Sequence, residues 1–210
     1  MAWGKKKGNS MKLYDREVSG NSYKIRLFLA LLNLKYDTVS INSAAGEQKQ
    51  PWFLKINPRG QIPVLEVNGK HIWDSTAILI YLARRYGGET WLPLDAEGMA
   101  EIAQWLAMAQ NEILYGLARA RAILLFGRKA DLSEAQTAGR NALQVLEQHL
   151  LNHNWLALGR PTIADIACYP YVALAELGKI TLDPYPAVLS WMKRIQSLPG
   201  FVGMPGLRLV

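Results

Sequence analysis

Two short stretches hold the residues best suited to binding chemistry. Asn57-Pro58-Arg59-Gly60-Gln61-Ile62-Pro63-Val64-Leu65 enters an apolar strand through a proline. Asp74-Ser75 comes a hairpin's length later, where a helix begins. A proline cannot donate to a strand ladder and favours a bend before it. A cis Ile62–Pro63 bond turns the Ile62 backbone outward, leaving its N–H and C=O for a ligand. The Ser75 N–H at a helix N-terminus suits a carboxylate, and Asp74 suits an ammonium. Together they describe a receptor for a small peptide. Alone, Asp74-Ser75 reads as an ordinary helix start; the upstream Ile62-Pro63 reverses that preference.

The scaffold for these groups is read from pattern. Met11 to Tyr14 reads as a strand. Ser19-Gly20-Asn21-Ser22 reads as a loop and helix cap, and Ile25 to Leu32 as a helix with a wide apolar face. Tyr36 to Ile41 alternates like a second strand. A polar, irregular stretch to Ile56 holds one helical turn around Trp52-Phe53-Leu54. Val64 to Val67 and His71 to Trp73 flank Asn68-Gly69, the strongest two-residue hairpin signal. Ser75 to Tyr86 reads as a helix stopped by Gly87-Gly88. The order βαβ, loop, ββα forces two parallel strands plus antiparallel ones.

Beyond Gly88 everything reads as helix. Ile102, Leu106, Ala109, Ile113, Leu117 and Leu124 form one stripe. Ala135 to Leu151 forms a second helix, Thr162-Ile163-Ala164-Asp165 opens a third, and Pro184 to Leu198 forms a fourth. Thr162 to Asp165 has the capping-box shape with Asp in place of Glu or Gln. Pro170 is expected to kink the third helix or end its first segment. The expected units are a leader, tag or disordered extension over 1–10, an α/β domain over 11–88, a linker over 89–95 and an all-α domain over 96–210.

Composition narrows the function classes. The 210 residues carry a formal charge of +7, and without Lys5, Lys6 and Lys7 of the leader it falls to +4, too little to argue for nucleic acid. The tryptophans are scattered over separate elements, unlike a base-stacking platform. No apolar run is long enough to span a bilayer, and the start lacks the apolar core of a secretory signal. The sole cysteine, Cys168, excludes an internal disulfide and fits a reducing cytoplasm. Within an apolar helix it reads as a small buried residue. His149 and His153 are four apart, but no third ligand stands nearby, so no metal is expected.

Four motifs in order carry a family resemblance: Ser19 to Arg26, Asn57 to Leu65, Asp74-Ser75-Thr76-Ala77-Ile78, and Thr162-Ile163-Ala164-Asp165-Ile166-Ala167. From Met11 to about Gly203 the chain resembles a cytosolic glutathione transferase of a bacterial, serine-type kind. The resemblance implies a thioredoxin-like N-terminal domain, an all-helical C-terminal domain, a homodimer, and glutathione, γ-Glu-Cys-Gly, as co-substrate. It also implies a second substrate in the interdomain cleft, a small hydrophobic electrophile or a disulfide.

Glutathione is useful as a thiolate. A free thiol of pKa about 8.5 is only a few per cent ionised at neutral pH. Lowering that pKa by about two units takes roughly 2.7 kcal/mol of preferential thiolate binding, which a hydroxyl hydrogen bond and a helix N-terminus can supply. With Arg26 as anchor, Ser19 matches the family's active serine. Asn21 is placed to donate a second hydrogen bond, and Ser22 is the rival, as sulfur partner or cap. The family's strand-end tyrosine has no match, since Tyr14 falls one residue early and reads as packed on the sheet. No cysteine stands in the loop to form a mixed disulfide. The resemblance gives Ile62 to the cysteinyl backbone, Asp74 to the ammonium and Ser75 to the γ-glutamyl carboxylate. Gln48 takes the glycyl carboxylate, with Lys49 as fallback, and Gln61 adds a contact. Arg59 reads as a solvated loop charge. Gln104, Met108, Asn111, Tyr115 and Arg119 either line the cleft or form a solvated or dimer face. Conjugation of electrophiles is the leading activity. The alternatives are a glutathione-dependent disulfide or peroxide reductase and a non-catalytic interaction module.

Overall fold

The computed structural model describes residues 11–210; the leader expected over 1–10 lies outside the described residues. Strand β1 (Met11–Asp15) alternates buried and partly buried side chains, as a strand between two layers must. It pairs in parallel with β2 (Asp37–Ser40) and antiparallel with β3 (Val64–Val67), which pairs with β4 (Lys70–Trp73), giving the order β2-β1-β3-β4. The β3–β4 turn places Asn68 at φ 51° and Gly69 at φ 79°, the left-handed conformations a two-residue hairpin requires.

Helices cover both faces. Helices α1 (Gly20–Leu31) and α3 (Ser75–Leu82) pack with Leu13, Leu65, Met11 and Val67 in the main core. The six-residue α2 (Pro51–Ile56) presses Phe53 onto the other face with Ile41 and Val64. Tyr14 lies on that side, its ring edge-on to Phe53 and its hydroxyl donating to Glu66 at 2.9 Å, so it is the packed strand tyrosine expected. This is a thioredoxin-like domain. An ion pair braces its first loop: Arg26 Nη1 reaches the two Asp15 carboxylate oxygens at 2.6 and 2.7 Å, and Nη2 donates to the Glu17 carbonyl at 2.7 Å.

Helix α3 ends earlier than the sequence suggests. Ala83–Gly87 winds as a wider π turn, closed by Gly88 at φ 66°. The chain then crosses to an all-helical domain of α4 (Ala96–Gln110), α5 (Arg119–Phe126), α6 (Leu132–Leu150), α7 (Ile163–Ala173) and α8 (Pro186–Gln196). Aspartates cap α4 and α6: Asp95 accepts from Gly98 N–H and Asp131 from Glu134 N–H. The stripe from Ile102 to Leu124 does not lie on one helix. A break at Asn111 and a π turn over Leu114–Ala118 separate α4 from α5. Each π turn adds a residue and rotates the helix beyond it, so Ile102 to Leu117 stay buried while Leu124 is 37% exposed.

Helix α7 is buried along its whole length, and it runs on through Pro170 to Ala173 rather than ending there. Its N-terminus is held by a buried network. Asp165 accepts from Thr162 N–H at 2.8 Å, Leu156 N–H at 3.1 Å and the Trp191 indole at 2.9 Å, and the Thr162 hydroxyl caps Ala164 N–H. The two domains share one core, because α1 packs against α7 and the Tyr23 hydroxyl donates across to the Val202 carbonyl at 2.6 Å. Among the described residues no helix is long and apolar enough to cross a membrane.

Candidate active site

A cavity of about 400 Å³ opens between the domains, within the size range of small-ligand sites. The loop 57–63 forms one wall. Asn57 is buried and shapes it, donating from Nδ2 to the Gln61 carbonyl at 2.6 Å and accepting Arg59 N–H at 3.0 Å. The Ile62–Pro63 bond is cis, and Ile62 lines the cavity just outside the ladder that begins at Val64.

The start of α3 forms the floor. Asp74, at φ 77°, caps the helix: Oδ1 accepts from Thr76 N–H at 2.9 Å and Ala77 N–H at 3.4 Å. Ser75 comes next, nearly fully buried. Arg59 is not the free loop charge its position suggests, since Nη1 pairs with Asp74 Oδ2 at 3.0 Å at the cavity wall. Gln110, at the end of α4, donates to Thr76 Oγ1 at 2.6 Å and to Asp74 Oδ1 at 3.3 Å, tying the helical domain to this floor.

The structure brings Asn21, Gln48, Gln61, Ile62, Asp74 and Ser75 to this cavity. Lys49 turns away, its Nζ on the Arg59 carbonyl at 3.0 Å. Ser19 lines a smaller adjoining cavity of about 170 Å³, and Ser43, Ile62, Ala118, Ala122 and Tyr171 line both. Ser19 is also the N-cap of α1, accepting Ser22 N–H at 3.2 Å. The Ser22 side chain is wholly buried and lines neither cavity. Of the residues expected from the first C-terminal helix, Tyr115 and Arg119 line the larger cavity, the guanidinium 4.8 Å from the ring centre; Gln104, Met108 and Asn111 do not.

Several contributors escaped the sequence reading. Tyr171 on α7 leans over the start of α1 with its ring against Gly20, and burial pushes its pKa up to about 12. Lys24 is fully buried, its Nζ 5.5 Å from the Tyr171 ring centre, and burial lowers its pKa to about 8. Ser43, Gln110 and Tyr171 belong to no motif; only their polar type marked them. Asn21, Ser43 and Gln48 line the larger cavity, and their Oδ1, Oγ and Oε1 atoms lie buried in its wall with no hydrogen-bond partner among the described residues. Buried polar atoms are normally paired, so three idle ones in side chains that wall one cavity leave hydrogen-bonding capacity there for a polar ligand. Among the described lining residues, Arg59, Arg119 and Arg128 stand against a single carboxylate, Asp74, which favours a ligand of net negative charge.

The features set aside elsewhere behave structurally. The His149 and His153 rings stack at 4.1 Å, and both bond backbone carbonyls. Among the described residues no three potential ligands cluster for a metal. Cys168 is buried near the Trp105 carbonyl, and burial raises its thiol pKa well above the ordinary value.

Comparison with known proteins agrees with this architecture. The family models for the glutathione S-transferase N-terminal and C-terminal domains match residues 9–84 and 99–199. The glutathione S-transferase of Pseudomonas fluorescens superposes with a TM-score of 0.88 at 35% identity, over 93% of this chain and 98% of that one. A glutathione transferase homolog from Drosophila mojavensis, solved with bound glutathione, gives 0.82 at 28% identity, over 91% and 89% of the two chains. The disulfide-bond oxidoreductase YfcG of Escherichia coli is 31% identical over 195 residues, covering 85% of this chain and 87% of the relative. With both domain models matched across most of its length, the chain belongs to the glutathione S-transferase family.

Proposed function

We propose that the larger cavity seats glutathione and that the protein conjugates its thiolate to small electrophiles. The carrying observation is the convergence of Gln48, Ile62, Asp74, Ser75 and Asn21 on one cavity with three unpartnered buried polar atoms. In this reading the γ-glutamyl ammonium meets Asp74, and its carboxylate meets Ser75 N–H and Arg59, which already sits beside Asp74. Ile62 pairs with the cysteinyl backbone, and Gln48 receives the glycyl end.

The thiol then points toward the start of α1, between Asn21 and Ser19. Capping does not disqualify Ser19: its oxygen accepts Ser22 N–H while its hydroxyl proton stays free to donate to sulfur. The positive end of a twelve-residue helix adds to the thiolate preference. The thiol proton leaves to solvent, sulfur attacks the electrophilic carbon, and a thioether forms as the leaving group departs with its electron pair. We take the working form as a homodimer, as the family resemblance implies, in a reducing compartment, which the sole cysteine fits.

Calorimetry with glutathione and kinetics of Ser19→Ala test this. Glutathione is expected to bind at sub-millimolar to millimolar concentration. Ser19→Ala is expected to raise the bound thiol pKa by about one to two units, with turnover falling at neutral pH. An unchanged pKa and rate sink the role of Ser19. No glutathione binding at millimolar concentration sinks the enzyme reading in favour of an interaction module.

A second reading, glutathione-dependent disulfide reduction on the same site, is favoured by Asn21 in the cavity wall and by similarity to an oxidoreductase. Turnover of a small disulfide set against that of a chlorinated nitrobenzene separates the two.

A further inference from the structure

The smaller cavity beside Ser19 has its own chemistry. It is lined by Arg16, Ser19, Arg121, Phe126 and Tyr171, and it shares Ser43 and Tyr171 with the larger one. No carboxylate side chain lines it among the described residues. Arg121 is only 4% exposed; its Nη2 donates to the Val18 carbonyl at 3.0 Å, but its buried Nε has no partner. The Phe126 ring centre lies 5.0 Å from the Arg16 guanidinium and 5.3 Å from that of Arg121. At about 170 Å³ the cavity is too small for a tripeptide, but a cavity of about 150 Å³ already accepts a benzene ring.

We propose that this cavity seats the second substrate and that this substrate is a flat, conjugated carboxylate, its anion held by Arg121 and Arg16 and its ring against Phe126 and Tyr171. The proposal rests on the reading of the larger cavity as the glutathione seat, since only then does Ser19 bring a thiolate to this cavity's mouth. A buried guanidinium with an idle donor and a second cation nearby is costly unless an anion arrives. Burial lowers the Arg121 pKa, Tyr171 raises it, and the Arg16 charge lowers it further. A carboxylate satisfies both arginines with charge-assisted bonds. A neutral hydrophobic electrophile leaves Arg121 unanswered and is the poorer fit. For a chlorinated nitrobenzoate the step balances: the thiol proton goes to water, the C–S bond forms at the ring carbon, and chloride leaves with the C–Cl electron pair.

The test compares 3,5-dinitrobenzoate with 3,5-dinitrobenzamide by calorimetry on the whole protein with saturating glutathione. The benzoate is expected to bind at least about tenfold tighter. Arg16→Gln, which changes a partly exposed residue, is expected to bring the ratio near one with little change in melting temperature, and Arg121→Gln to do the same if folded. Equal affinities in the unsubstituted protein, or a ratio unmoved by Arg16→Gln, overturn the proposal. So does a preference abolished by Arg128→Gln instead, which places the anion in the larger cavity. Turnover of 4-chloro-3,5-dinitrobenzoate is expected to exceed that of its amide, corrected for uncatalysed rates, by a similar factor. Absent glutathione binding is a separate failure, of the larger cavity's reading, and the benzoate-to-benzamide ratio measured without glutathione still decides the anion seat.

Discussion

The Tyr171 ring lies so close to Gly20 that a β-carbon there would stand 2.5 Å from Cε1 and 2.8 Å from Cζ. This contact docks the N-terminus of α1, with Ser19 and Asn21 beside it, onto the central helix of the other domain. Only glycine lets the ring approach so near.

Gly20→Ala therefore tests the docking. Tyr171 is 8% exposed and also in contact with Lys24, so it has little room to yield. The overpacking is expected to cost about 1–3 kcal/mol in urea unfolding and to weaken glutathione binding by shifting Asn21. Unchanged stability with unchanged binding shows that Tyr171 moves aside freely.

Asp74→Asn separates binding from capping. Asparagine caps a helix as well as aspartate and tolerates positive φ, and the ion pair lost with Arg59 is half exposed. Stability is expected to change by less than about 1 kcal/mol. Glutathione affinity is expected to fall at least about tenfold as the ammonium loses its charged partner. Calorimetry and thermal melting together read the split; equal losses in both point to a purely structural aspartate.

Asp165→Ala leaves the Thr162 and Leu156 N–H groups and the Trp191 indole buried without their acceptor. The expected cost is about 3–5 kcal/mol, a fall of roughly 10 °C in melting temperature for a chain of this size. Asp165→Asn keeps one acceptor oxygen, and its melting temperature is expected to lie between those of Asp165→Ala and the unsubstituted protein.

Lys24 gives a pH signature. Its folded pKa of about 8 lies below the ordinary 10.5, so above pH 8 the unfolded chain holds more protons than the folded one. Its contribution is therefore least favourable below pH 8 and improves as pH rises, until the unfolded chain's tyrosines begin to ionise near pH 10. Lys24→Met is expected to stabilise the protein by about 1–3 kcal/mol at pH 7, with the gap to the unsubstituted protein narrowing between pH 8 and about 9.5. A gap constant across that window rules out a titrating Lys24.

What the chain dictates locally was legible in order and type. The strand pattern of Met11 to Tyr14, the Asn68-Gly69 turn and the Thr162–Asp165 box are signals completed within a few residues, because hydrogen-bond closure and side-chain period act at that range. The same holds for loop 57–63 and Asp74-Ser75, whose backbone geometry is set by proline, asparagine and a helix start. The π turn over Leu114–Ala118 was not legible, since an apolar stripe looks unbroken whether or not one residue bulges.

Which distant groups share a cavity was left to the packing of the domains. Ser43, Gln110, Arg121 and Tyr171 come from four segments with no common pattern; the packing of the two domains brings Gln110 to the larger cavity, Arg121 to the smaller, and Ser43 and Tyr171 to both. Packing also turned Ser22 inward while leaving Ser19 at the cavity edge, and set Arg59 against Asp74. Spacing along a chain fixes which face a side chain occupies. The neighbour across that face, and the charge it finds there, depend on the packing of elements more than a hundred residues apart.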